Sequence, residues 1–188
     1  PRQVSSAASD VYKRQGLLPA REPADVIRAR RMDYFRSMAA GQGPRLAVIE
    51  DIDFPNCIAG WWGEIHVAVH KGLGQVGAIT NGVMRDLDVM DAGFPVLAGS
   101  IGPSHGFVHV VEIGGPVSLM GMHISQDELM HADRHGAIVI PNEIIADLKQ
   151  AIETVIANEA IVLGPARAPG FDIERLEKVW AEFEAART

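Results

Sequence analysis

Three short stretches of this 188-residue sequence combine residue types and spacings that can do chemistry. Gly63-Glu64 opens a helix-like segment. The free backbone N–H groups of a helix N-terminus favour a carboxylate or phosphate, and a glycine there leaves room for close approach. Asn81 to Asp86 (NGVMRD) follows a strand-like run and ends on the adjacent pair Arg85-Asp86. Arginine offers a planar fork of donors to a carboxylate or enolate oxygen, and aspartate is a hard oxygen ligand for Mg²⁺ or Mn²⁺. On spacing alone the pair reads equally well as a surface ion pair or a helix cap. Glu64 suits either a second carboxylate facing the same metal through water or a favourable charge in a first helical turn. The third stretch, Ala132 to Gly136 (ADRHG), leads into a strand.

Other patterns point elsewhere less strongly. Gly72 to Gly77 (GLGQVG) matches a dinucleotide-binding glycine pattern, but it ends a helix and leads into a strand, the reverse of what that chemistry requires. Seven histidines include the pairs His66/His70 and His131/His135, neither inside an HExxH motif nor near a cysteine cluster. His66/His70 remains a weak metal pair, with His66 one turn from Glu64 and bordering the same pocket. Lys71, Lys149 and Lys178 fall on helices and Lys13 near the start, so no lysine sits in the apolar strand a Schiff-base enzyme needs. Cys57, the single cysteine, reads as a small buried hydrophobe.

The elements that position these groups alternate between helix and strand. Residues 22–40 form an amphipathic helix stopped by Gly41, 45–50 a buried strand, 51–62 a loop, 63–71 a short helix and 75–80 a strand ended by an Asn-Gly turn. A helical turn over 86–91 and a strand over 95–98 follow. Residues 107–113, 117–124 and 128–131 alternate as strands, and 136–140 (GAIVI) has the pattern of a fully buried one. A long helix over 142–163 broken by Gly164-Pro165, and a terminal helix over 172–186, complete an α/β layered domain.

A formal charge of −7 and a pI near 5.4 argue against nucleic-acid binding; Arg28, Arg30 and Arg31 read as a solvated helix face. No apolar run approaches a membrane span, and the cytoplasm is the natural assignment. Residues 1–15 (PRQVSSAASDVYKRQ) lack an initiator Met and apolar periodicity, and resemble an adaptor-derived scar. A single domain over 16–188 is therefore expected, truncated at its native N-terminus.

The ordered combination of residues 61–88 (WWGEIHVAVHKGLGQVGAITNGVMRDLD), 95–106 (PVLAGSIGPSHG) and 131–141 (HADRHGAIVIP) resembles the RraA-like family, which joins 4-hydroxy-4-methyl-2-oxoglutarate aldolase and the regulator of ribonuclease E activity A. The resemblance runs from about Leu46 to the C-terminal helices. It implies a layered, swivelling β/β/α domain forming homotrimers or hexamers with sites at subunit interfaces. It further implies that amides of Gly63 to Ile65 hold a pyruvate carboxylate and that Arg85 contacts the substrate oxygen. Asp86 would bind Mg²⁺ or Mn²⁺ directly, with Glu64 and a neighbouring subunit's Glu159 holding the metal's waters. The implied activity is a metal-dependent lyase: aldolase or oxaloacetate decarboxylase, acting through a pyruvate enolate. The alternative is a non-catalytic, protein-binding regulator. A methyltransferase reading lacks the strand-to-helix glycine loop for S-adenosylmethionine. Ser125-Gln126-Asp127 stands where the family has Pro-Gly-Asp, and Asn81 where an aspartate is common; Trp61, Trp62 and His66 are expected to crowd the pocket.

Overall fold

The computed structural model describes residues 5–103 and 105–187; the first four residues of the 1–15 segment, Ser104 and Thr188 lie outside the described residues. The chain divides into two compact units, residues 1–141 and 142–188.

The first unit is built on one twisted sheet. Strands β1 (Ser5–Gln15), β2 (Arg45–Asp51), β3 (Gly60–Trp62), β4 (Gln75–Met84), β5 (Val96–Ile101), β6 (His109–Ile113), β9 (Leu129–Asp133) and β10 (Gly136–Ile140) form it, in the order β10-β9-β1-β2-β4-β3. β5 pairs with β4, and β6 with β1. β1, β2, β4, β3 and β5 run parallel to their neighbours in this series, whereas β6 and β9 lie antiparallel to β1. A separate hairpin joins β7 (Val117–Leu119) to β8 (Met122–Ile124).

Alternation along β2 creates the layers. Ala47 and Ile49 face one side, with Tyr34, Met38, Trp61, Trp62 and Val67 beneath helices α1 (Ala24–Ala40) and α2 (Glu64–Gly72). Leu46 and Val48 face the other, packed with Val117, Leu119, Ile124 and Met130 of the hairpin and β9. Helices cover one face and a small β layer the other.

Four expectations are corrected. Ser5–Gln15 is not outside the fold: β1 pairs with β2, β6 and β9, its Val11 and Tyr12 are buried, and its Arg14 forms a buried ion pair with Asp51. Asn81-Gly82 is no turn; β4 runs through it, because parallel pairing with β2 and β5 overrides the local signal. What remains of that signal is a register irregularity between Thr80 and Val83. β10 is an edge strand with Ile138 exposed, not a buried one. Gly164-Pro165 falls inside the long helix and not beyond it: Pro165 cannot donate to the Ile161 carbonyl, and α3 ends one residue later, at Ala166.

The second unit is helical: one 3₁₀ turn (Asn142–Ile144), α3 (Ile145–Ala166) and α4 (Ile173–Ala185). Asp172 caps α4 by accepting from the Arg175 amide at 2.9 Å. No helix among the described residues is long and apolar enough to cross a membrane.

Candidate active site

β3, α2 and β4 form a compact strand-helix-strand unit. Because β3 and β4 are parallel, the start of α2 and the residues after Met84 lie together at the carboxyl ends of adjacent strands, where α/β sheets leave a crevice for ligands. A backbone bond from the Arg85 amide to the Trp62 carbonyl (2.9 Å) ties the two exits together.

Gly63, Glu64, Arg85 and Asp86 converge at this point. Asp86 has φ +61°, a left-handed conformation unusual outside glycine, which turns its side chain back towards α2. Its Oδ2 accepts from the Glu64 amide at 3.2 Å and from Arg85 Nη1 at 2.6 Å. Asp86 thus pairs with a largely buried Arg85 rather than at the surface, and it accepts from the first amide of a helix other than the turn it begins. The helix is α2, reached across the crevice rather than along the chain. A Cβ added at Gly63 would overlap the Arg85 guanidinium and the Asp86 carboxylate. Since Gly63 has extended backbone (φ −167°), that space, not conformational freedom, is what its glycine provides.

One feature of the seat differs from expectation. The Glu64 amide is taken by Asp86, so the free donors of the first turn are the amides of Ile65 and His66, for which no acceptor exists among the described residues. Arg85 is largely buried, and its Nε–H is a buried donor with no partner among the described residues. Glu64 and Asp86 are exposed.

Two exposed carboxylates and no sulfur are the donor chemistry of a hard cation such as Mg²⁺, which largely retains its waters when bound. Among the described residues no three His, Cys, Asp or Glu side chains gather as a ready ligand cage. A metal here would therefore be held by Asp86, with Glu64 reached through water. Glu159 lies exposed on α3 in the second unit.

His66 and His70 do not form a metal pair. The His66 ring stacks on Trp61 with centroids 4.7 Å apart, and burial, together with the Arg85 charge, lowers its pKa to about 4. His70 is wholly buried, with Nδ1 turned to the His66 carbonyl (2.5 Å) and Nε2 to the Tyr34 hydroxyl (2.5 Å), so both ring nitrogens are committed. Burial lowers its pKa to about 3. Trp61 and Trp62 belong to the core and do not crowd the crevice. Asn81 is also buried, clamping the Asp51 backbone through Oδ1 (2.7 Å) and Nδ2 (3.2 Å).

The remaining candidates lie apart. Asp133 and His135 pair with each other in the β9–β10 turn, at the opposite edge of the sheet from β3. Asp127, in the Ser125-Gln126-Asp127 turn, has φ +67° and pairs with Arg45. The Cys57 thiol is pushed up to about 12, chiefly by burial and by Asp51, which removes it as a nucleophile near neutral pH. Sequence reasoning missed Tyr34 as a partner of this region; its only signal was a tyrosine on the buried stripe of α1.

A layered α/β unit in which a helix start meets an Arg-Asp pair at the ends of adjacent parallel strands defines the class of protein. The chain belongs to the RraA-like family, whose model, described as Aldolase/RraA, matches residues 26–139. That family includes both aldolase/decarboxylase members and ribonuclease E inhibitors. The fold is shared with an uncharacterized protein from Pseudomonas syringae pv. tomato (TM-score 0.71, 18% identity, covering 97% of this chain and 78% of that one). It is also shared with Streptomyces coelicolor RraAS2, described as an unusual member of the RNase ES inhibitor RraA family (TM-score 0.65, 17% identity, 84% and 76% covered). A structure described under novel cellulases from gut-associated microbes matches likewise (TM-score 0.68, 19% identity, 84% and 68% covered). No curated protein matches the sequence.

Proposed function

We propose that this chain is a divalent-metal-dependent lyase that cleaves or decarboxylates a 2-oxo acid through a pyruvate enolate, of the 4-hydroxy-4-methyl-2-oxoglutarate aldolase and oxaloacetate decarboxylase type. The observation that carries the reading is the meeting of Arg85 and Asp86 with the open first turn of α2, in a space only a glycine at position 63 leaves free.

The roles follow from the donors. The amides of Ile65 and His66 point outward from a helix N-terminus and suit the substrate carboxylate. Arg85 spends one of its N–H groups on Asp86 and has others to donate to the 2-oxo oxygen as it gains negative charge. Asp86 would hold Mg²⁺ or Mn²⁺ directly, with waters held by Glu64 and by Glu159 of the partner subunit. The cation, when bound, supplies Lewis-acid polarisation of the 2-oxo group. In the retro-aldol direction the C4 hydroxyl gives its proton to water, C4 becomes the carbonyl of one pyruvate as the C3–C4 bond breaks, and the bond's electron pair is held as the enolate until C3 takes a proton from water to give the second pyruvate. Loss of CO₂ from oxaloacetate reaches the same enolate.

The proposed assembly is a homotrimer or hexamer. α3 carries Ile152, Val155 and Ile156 half exposed and buries no residue, as a helix meant for a subunit contact would.

The test is pyruvate release from oxaloacetate and from 4-hydroxy-4-methyl-2-oxoglutarate, with Mg²⁺ or Mn²⁺ and then with EDTA, beside Arg85→Ala. Metal-dependent release, lowered about 10²-fold or more in the variant, is expected. No release by a folded oligomer would overturn the lyase reading in favour of a protein-binding regulator.

A further inference from the structure

We propose that Tyr34 and His70 are positioning residues for the candidate site, holding the Asp86 carboxylate through an unbroken run of hydrogen bonds that begins in the core. The His66 carbonyl can only accept, so the proton of the His70 ring is on Nδ1, which donates to it at 2.5 Å. Nε2 is then an acceptor and takes the Tyr34 hydroxyl proton at 2.5 Å. The His66 carbonyl shares a peptide unit with the Val67 N–H, which donates to the Gly63 carbonyl at 3.0 Å. That carbonyl in turn shares a peptide unit with the Glu64 N–H, which donates to Asp86 Oδ2 at 3.2 Å, the same oxygen that Arg85 Nη1 reaches at 2.6 Å.

Every donor in this run points the same way, towards Asp86. Aligned hydrogen bonds polarise one another, and the effect is largest where water is excluded. Tyr34 and His70 are both fully buried, with Trp61 packed edge-on against the Tyr34 ring and Trp62 against the His70 ring; the Trp61 indole N–H can only donate, so it reaches the Tyr34 oxygen without taking the hydroxyl proton from His70. Burial keeps the His70 ring neutral, which preserves its one-donor, one-acceptor pattern. Tyr34 comes from α1, so the run fixes the first turn of α2 against a separate helix. Asp86, in its left-handed conformation, is thereby held where the seat needs it.

The test compares amide hydrogen exchange in metal-free protein with Mn²⁺ binding followed by calorimetry; only the Mn²⁺ arm rests on Asp86 being a metal ligand. Tyr34→Phe and His70→Asn each break the Tyr34–His70 bond but leave a donor for the His66 carbonyl, whereas His70→Leu removes both bonds. Exchange at the Glu64 and Val67 amides is expected to quicken about 2–10-fold per bond lost, and Mn²⁺ affinity to fall in the same order. Met38→Ala, a change in the same core cluster outside the run, controls for general destabilisation. The inference is overturned if Met38→Ala, at a matched loss of thermal stability, quickens those amides as much, or if His70→Asn behaves like His70→Leu. Should wild type bind no Mn²⁺, the metal reading of Asp86 fails while the order of exchange rates still decides the run.

Discussion

Gly63 shows how a single residue can be judged on space alone. Its backbone is extended, so alanine meets no conformational penalty there; the added methyl meets the Arg85 guanidinium and the Asp86 carboxylate instead. Gly63→Ala should therefore keep the fold while displacing the two groups the proposed chemistry depends on. An ångström of displacement at reacting groups costs about 10²-fold in rate. We expect turnover to fall by that order with an unchanged circular dichroism spectrum. Gly72→Ala is the comparison, because a Cβ at Gly72 meets nothing within 4 Å. If the two alanine variants turn over alike, Gly63 is not part of the site.

At the scale of elements, α2 carries both the seat and its pH response. His70 takes a proton in the folded chain only near pH 3, and His66 near 4, against an unperturbed value of 6.5. Between those limits the unfolded chain binds more protons than the folded one, so stability is full above about pH 6.5 and declines as pH falls. In thermal or urea unfolding followed from pH 6.5 to 5, where carboxylates scarcely titrate, His70→Asn should flatten the slope of unfolding free energy with pH by up to about one proton. An unchanged slope would mean that His70 is protonated in the folded state. The short helix itself was legible in the sequence: Gly63 and Gly72 bound an apolar stripe, and the Arg85-Asp86 pair stood beside it. What local pattern could not show was the path of β4. Asn81-Gly82 carries a strong turn signal, but Asn81 is used to clamp β2, and only the parallel neighbours of β4 reveal that. Tyr34 was equally opaque, since a tyrosine on an apolar stripe looks the same whether or not its hydroxyl finds a histidine on another helix.

The whole molecule depends on a segment whose composition argued against it. Residues 5–15 have little apolar periodicity, yet as β1 they fill the sheet between β2 on one side and β6 with β9 on the other. The buried charged groups of β1 meet partners from other strands: Arg14 forms an ion pair with Asp51 in the interior, though its guanidinium makes no directed hydrogen bond among the described residues, and Asp10 accepts from Arg45 and, at 2.7 Å, from Gln75. Composition alone cannot register such pairing, because the partners come from β2 and β4. A chain beginning at Gly16 would take the cation from Asp51, open the ladder of β2 along its length, and forfeit the burial of Val11 and Tyr12, about 1.5–3 kcal/mol for each side chain. Together these losses are comparable to the whole stability of many domains. The shortened chain should therefore show no cooperative thermal transition. If it instead melts as the full chain does, the sheet closes without β1, and residues 1–15 lie outside the working fold, as their composition suggests.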